Sequence, residues 1–406
     1  MLRSRFKLLL LLCGIVTKSW ATFPDLNSML QAYRQTAQVT DSPLYPLILA
    51  LDDLNSEPDL QAAALLTLIP VADGSLKSAS DGAMRQMLSV IGDRLIRLPP
   101  PDKASEPDEG VASGDELPSP LDHGVWLQIL GDDIHQKLRS AVPGYHGQVL
   151  GAIVGRDFLF PHRMIGFAAG YIHSKVISYG PSGSFLDIKR FQGTLYGRYE
   201  LERCPYYSIF ALTIANLQYD NNRKILVPPG ASGHFVFENI AQSDFSAWEP
   251  SVYLETGYTW KCGNFSAIPK AMLTYSRLDI GAYNENDAFA LDLNVKYQDM
   301  NTFTLGVGAK LEYQNTFDKA LVVPEMHAYV FHDFVNNSQF ATANFFSGGY
   351  EFLSQGAEPA LNSIEVGAGL AVHSYKDILV TMQYDYAART DYYRNCAFIK
   401  VRYEWA

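Results

Sequence analysis

Between Gly124 and Trp405, apolar and polar residues alternate with a period of two through one short segment after another. A two-residue period marks a strand whose two faces meet different media. Twelve such segments can be drawn, near 124–132, 146–158, 163–176, 187–201, 206–220, 246–260, 265–279, 301–315, 320–334, 362–374, 377–388 and 395–405. Each reaches the roughly 9–11 residues that a tilted membrane strand needs, and nothing in this region is long and apolar enough for a membrane helix. Short connections (160–162, 202–204, 261–263, 316–318, 375–376) alternate with long ones (133–145, 177–186, 221–245, 280–300, 335–361, 389–394). The pattern predicts an all-β transmembrane barrel of about twelve antiparallel strands, with short periplasmic turns, longer outer loops, and both barrel ends on the turn side. Residues 288–298 also alternate. Counting them as a thirteenth strand would put the ends on opposite sides, so they are assigned to a structured outer loop.

The charges choose the register. In the last segment Ala397, Ile399, Val401, Tyr403 and Trp405 share one face, while Lys400, Arg402 and Glu404 share the other. In 187–201, Phe191, Leu195, Tyr199 and Leu201 oppose Arg190, Gln192, Arg198 and Glu200. Trp248, Val252, Leu254, Tyr258 and Trp260 oppose Glu249, Tyr253 and Glu255, and Phe303, Leu305, Val307 and Leu311 oppose Lys310 and Glu312. Glu325 and Asp333 share a face with His327 and Tyr329. An Arg or Lys facing lipid at mid-membrane costs about 2–4 kcal/mol, so the charged faces should line the lumen. The candidate lumenal lattice is therefore Arg190, Arg198, Glu200, Glu249, Glu255, Lys310, Glu312, Glu325, Asp333, Lys400, Arg402 and Glu404. Such a lattice can stiffen the barrel through cross-strand pairs, or it can line a hydrated path.

The first 122 residues are different. Arg3, Arg5 and Lys7 precede an apolar run, Leu8–Val16, too short to span a bilayer, and Ser19-Trp20-Ala21 offers a cleavage site; residues 1–21 read as a signal peptide. Residues 22–98 read as helical, with segments at 25–38, 43–55 and 59–68 and a fourth at 80–98. In that last one Met84, Met87, Leu88, Ile91, Leu95 and Leu98 form a single apolar stripe. Pro99-Pro100-Pro101 stops it and opens a linker, 99–122, with seven acidic residues against one Lys, too polar to bury a core. The barrel domain then runs over 123–406.

The net charge of −11 argues against a nucleic-acid partner, and a mean hydropathy of −0.05 suits strands with one wet face. Three cysteines follow the signal peptide. Cys204 and Cys262 fall in successive turns on the same side and are a candidate disulfide, whereas Cys396 has no evident partner. None has metal-ligand spacing. There is no Gly-x-Ser-x-Gly elbow and no His-Glu-x-x-His, so no enzyme, cofactor or metal is expected.

Several pieces, in order, resemble the autotransporter β-domain, the translocator of type V secretion: Gly124-Val-Trp-Leu-Gln128; Gly151 to Gly155-Arg-Asp157 followed by Ile165 to Ser174; Leu195-Tyr-Gly197; Arg223; Gly257-Tyr258; Pro269, Leu273 and Tyr275; Glu285; and Leu305-Gly-Val-Gly308. The likeness covers about 120–406. Upstream, Pro46–Ser56, Ala62–Pro70 and the helix ending at Arg94-Leu-Ile-Arg97 resemble that family's passenger–barrel junction. The resemblance implies a Sec-exported protein of a Gram-negative outer membrane, with 80–98 as a candidate pore helix and a minimal or vestigial passenger in 22–98. It also implies outer-membrane lipid and the barrel assembly machinery as partners, the latter engaging the aromatic terminus, Tyr403 and Trp405. The alternatives from the residues themselves are a stand-alone porin-like protein, or an adhesive or structural one whose outer loops meet a host or surface ligand.

Overall fold

A computed structural model describes residues 42–70, 74–77, 122–139, 142–180, 183–201, 204–230, 237–317, 320–336, 338–347, 351–374 and 378–405. The expected signal peptide, the helices at 25–38 and 80–98, and the linker up to residue 121 lie outside these residues.

The alternating segments become twelve strands: β1 (Asp122–Gln136), β2 (Tyr145–Phe160), β3 (Arg163–Ser178), β4 (Phe185–Glu200), β5 (Tyr206–Val227), β6 (Phe237–Tyr258), β7 (Phe265–Ile280), β8 (Gln298–Tyr313), β9 (Ala320–Asn336), β10 (Asn362–Ser374), β11 (Ile378–Arg389) and β12 (Tyr392–Trp405). Each pairs antiparallel with its chain neighbour, and β12 returns to pair with β1 from His123↔Trp405 to Gln136↔Tyr392. The barrel is thus closed and leaves no long free edge. An even count brings Asp122 and Trp405 to one rim, the turn end. There β2 and β3 are joined by Pro161 and His162 alone, with His162 at φ 58°. The opposite rim is the loop end.

Two loops differ from expectation. The 221–245 segment is mostly strand: β5 and β6 have 22 residues each and stay paired from Tyr206↔Tyr258 to Val227↔Phe237. At about 3.3 Å per residue they outrun the 16-residue strands by roughly 20 Å. Their upper part lacks an apolar outer face (Asp220, Asn222 and Lys224) because above the lipid that face meets water. The signal that marks a membrane strand is therefore missing although the ladder continues. The 389–394 loop is a tight turn, Thr390-Asp391, with Asp391 at φ 61°.

The loops at 280–300 and 335–361 build a second sheet of four short strands, in the order 352–355, 340–345, 293–295, 283–284. The alternating stretch near 288–298 enters this sheet and not the barrel.

Among the described residues, two helices precede the barrel. Leu44, Leu47, Ile48, Leu51 and Leu54 fall at i, i+3, i+4, i+7 spacing and are buried, which gives α1 (Tyr45–Asp53) and its 3₁₀ extension Leu54–Ser56 a single apolar face. Pro58 starts α2 (Pro58–Leu68), where its missing N–H costs nothing. The apolar faces of both helices pack on Ile225, Val227 and Ala241 of the β5–β6 extension and on Leu293, Ala343, Phe345 and Phe352 of the loop sheet. Each fully buried Leu here contributes at most about 1.5–3 kcal/mol. The helices therefore sit on the loop end.

Candidate functional site

The barrel wall sorts residues by face. Ile129, Phe167, Leu195, Leu212, Leu254, Leu305, Val330 and Ile399 point outward and are exposed, forming an apolar belt. Of the charged residues assigned to the lumen, Arg190, Arg198, Glu249, Glu255, Lys310, Glu312, Glu325, Asp333, Lys400 and Arg402 are buried inside. Glu200 and Glu404 are half-buried at the turn end.

These residues form distinct clusters. At the turn end Arg402 donates from Nη1 to Asp157 Oδ2 (2.7 Å) and from Nη2 to Asp157 Oδ1 (2.5 Å), while its Nε meets Glu404 Oε1 at 2.5 Å. Tyr196 OH donates to Asp157 Oδ2 at 3.3 Å and accepts from Trp126 Nε1 at 2.8 Å. The Lys400 ammonium lies 5.8 Å from the Trp126 ring centroid. This cluster joins β1, β2, β4 and β12 across the seam that closes the barrel. Close approach by glycine makes room for it. A Cβ on Gly155 would overlap the Trp126 indole, and one on Gly166 would overlap the Tyr196 ring.

Around the wall, Arg190 pairs with Glu249 and donates from Nε to Gln192 Oε1 at 2.7 Å. Arg198 meets Glu200 at 2.9 Å and sits 4.3 Å over the Tyr207 ring. Glu255 accepts from Tyr207 OH (2.8 Å), Tyr253 OH (2.5 Å) and Lys270 Nζ (3.3 Å). Lys310 bridges Glu312 (2.7 Å) and Glu325 (3.2 Å). Asp333 accepts from Thr304 Oγ1 at 2.6 Å and Asn336 Nδ2 at 2.7 Å. A buried charge is tolerable only when paired and hydrogen-bonded, so each cluster offsets its own desolvation.

Sequence reasoning left out several partners. Lys270, Asp157 and the group Arg394, Asp132 and Glu365 (3.9 and 3.7 Å) belong to the lumen as well. Their inward parity was readable. Their pairing from one strand to another was not.

A further cluster lies at the loop end. Arg223, fully buried, donates from Nε to Glu285 Oε1 (2.8 Å), from Nη2 to Glu285 Oε2 (2.5 Å) and Leu291 O (2.9 Å), and from Nη1 to Thr67 O (2.8 Å). Thr67 Oγ1 accepts from Leu226 N–H at 3.1 Å. The C-terminal turn of α2 is thereby tied to β5 and to the segment between the 283–284 and 293–295 strands of the second sheet. Next to it, burial raises the Asp292 carboxyl above its ordinary range. Beyond α2 the chain turns into the barrel mouth. Leu76 is buried in the lumenal cluster, its carbonyl accepting from Tyr219 OH at 3.2 Å, and Lys77 Nζ donates to Asn336 Oδ1 at 3.0 Å.

The expected Cys204–Cys262 bond is absent, and both are free thiols. Thr259 N–H donates to Pro205 O at 2.8 Å, which sets Cys204 beside residue 260. Cys262 lies two residues further on, paired with Phe265. One strand spacing and two residue rises separate the Cα atoms by about 8 Å, beyond the roughly 7 Å limit for a disulfide. Tyr403 points outward from the last strand, and Trp405 stacks on His123 with centroids 5.7 Å apart.

The family model described as "Autotransporter beta-domain" matches residues 125–385. Outer membrane protein A of Rickettsia conorii is 24% identical over 309 residues, 74% of this chain and 15% of that protein. Outer membrane protein B of Rickettsia conorii is 24% identical over 368 residues, 88% of this chain and 22% of that protein. The chain thus spans less than a quarter of either relative. Among solved structures, the translocator domain of autotransporter NalP from Neisseria meningitidis matches with a TM-score of 0.60 and 15% identity, covering 82% of this chain and 98% of that one. At that identity the likeness is one of fold.

Proposed function

We propose, from the premise that this chain belongs to the autotransporter β-domain family, that its barrel is a translocator that carries the segment ahead of it to the cell surface and holds it there as a cap. The chain is a β-barrel of the Gram-negative outer membrane, and its family and relatives point to a translocator or structural role and not a catalytic one. The observation that carries the proposal is the chain path. The helices 45–68 rest on the loop end and Leu76 and Lys77 enter the mouth, whereas β1 starts at the turn end. Residues 77 and 122 thus lie at opposite ends of the cylinder. A chain with its barrel ends on the periplasmic side then has its upstream helices outside, as export through the barrel requires. The lumenal clusters support the same reading, because paired charges on the inner wall keep it polar and stiff, as passage of a polypeptide requires. In this reading the aromatic end of β12, Tyr403 and Trp405, is the feature offered to the assembly machinery.

An epitope inserted after Glu57, in the exposed link between the two helices, tests the topology. It should be reached by antibody and added protease on intact cells. Accessibility only after the outer membrane is permeabilised would put the helices on the wrong side and overturn the export reading, leaving the barrel itself unaffected.

A further inference from the structure

Among the described residues, one set of metal-ligating side chains stands outside the lumen and has no part in the lattice. Inward-facing residues of β1 are even-numbered, Trp126, Gln128, Leu130, Asp132 and Ile134 all being buried. Asp133 and His135 therefore point outward, at the loop end of the strand. His146 of β2 stands directly opposite His135 in the ladder. A charged triad on the outer face is costly within lipid, so it lies above the apolar belt, at the aqueous rim.

The two imidazoles stack with centroids 4.4 Å apart and planes 16° from parallel, and both aim Nε2 at one carboxylate. His146 Nε2 lies 2.6 Å from Asp133 Oδ1, and His135 Nε2 lies 2.8 Å from Asp133 Oδ2. The three ligand atoms fall within 4.8 Å of one another. On the far side of its ring, His135 Nδ1 lies 3.3 Å from Tyr179 OH, and Tyr393 of β12 stacks on the same ring at 4.7 Å. These contacts fix the ring and give Nδ1–H an acceptor, the outer-shell arrangement that leaves Nε2 as a neutral donor atom.

We propose that Asp133, His135 and His146 form a binding site for a divalent transition-metal ion of the zinc type, which clamps β1 to β2 at the outer rim. Two imidazoles and a carboxylate suit zinc and its neighbours, whereas calcium and magnesium prefer all-oxygen sets. An ion about 2.0–2.2 Å from each ligand needs ligand spacings of roughly 3.3 Å. Small side-chain rotations reach that value by opening the two Asp–His contacts and drawing the histidines together. Side-chain exposures of 25%, 28% and 42% for His135, His146 and Asp133 leave an entry route and room for a water as fourth ligand. No local motif announces the site, since ten residues separate the two histidines and only the β1–β2 register brings them together.

The full chain in detergent, stripped with a chelator, should take up one equivalent of Co2+ with visible d–d bands and no thiolate charge-transfer band. Zn2+ should displace it and Mg2+ should not. His146→Gln and His135→Gln should each weaken binding by more than about 100-fold, and Tyr179→Phe by about tenfold, with the folded, heat-modifiable gel mobility retained. The proposal is overturned if the folded protein binds neither ion at millimolar concentration, if a thiolate band appears, or if affinity is unchanged in a folded histidine variant.

Discussion

Arg402 and Asp157 are 245 residues apart in sequence and in bidentate contact in the barrel. The pair is enclosed, so removing one partner strands the other charge. Arg402→Gln should destabilise the folded barrel by about 3–5 kcal/mol, read as a lower urea midpoint of the heat-modifiable form. Adding Asp157→Asn should recover part of that loss, because the stranded charge is then gone. The facing of Arg402 was legible from its alternation with Val401 and Tyr403. Its partner was not, because Asp157 belongs to another strand, and a period-two pattern gives a face without giving a neighbour. The same limit hid Lys270 from Glu255 and His146 from His135.

At the scale of the strand and hairpin, length and packing space decide. The wall near the closing seam is thinned by glycine where Trp126 and Tyr196 cross it. Gly166→Val should force the Tyr196 ring aside and break its bonds to Trp126 and Asp157, lowering the yield of folded barrel. The overpacking itself should cost about 1–3 kcal/mol. Gly193→Ala, on the neighbouring strand with no atom within 4 Å of the added carbon, should leave folding unchanged and serves as the control. Strand number and connection order were readable because lipid imposes an apolar face on every crossing. Above the lipid that constraint ends, which is why 221–227 and 237–245 of the β5–β6 hairpin look like loop and fold as strand.

For the whole molecule, the fixed point between cap and barrel is Arg223. Arg223→Gln leaves Glu285 buried without its cation and frees the Thr67 carbonyl, so α2 should detach before the barrel opens. Limited proteolysis should then cut within 42–70 at a markedly higher rate while the heat-modifiable barrel persists. An unchanged rate would mean that the apolar contacts of Leu47, Leu51 and Leu68 suffice alone. The sequence by itself determined the barrel class, the twelve crossings, their facing and the side of the two barrel ends, because a bilayer acts on every residue of a strand and writes its thickness and polarity into the chain. Which charge meets which, the sheet built by the outer loops, the seating of the upstream helices on that sheet and the convergence of Asp133, His135 and His146 were decided only in three dimensions. Each depends on register and closure between segments far apart in sequence, and these are properties of pairing that no single strand records.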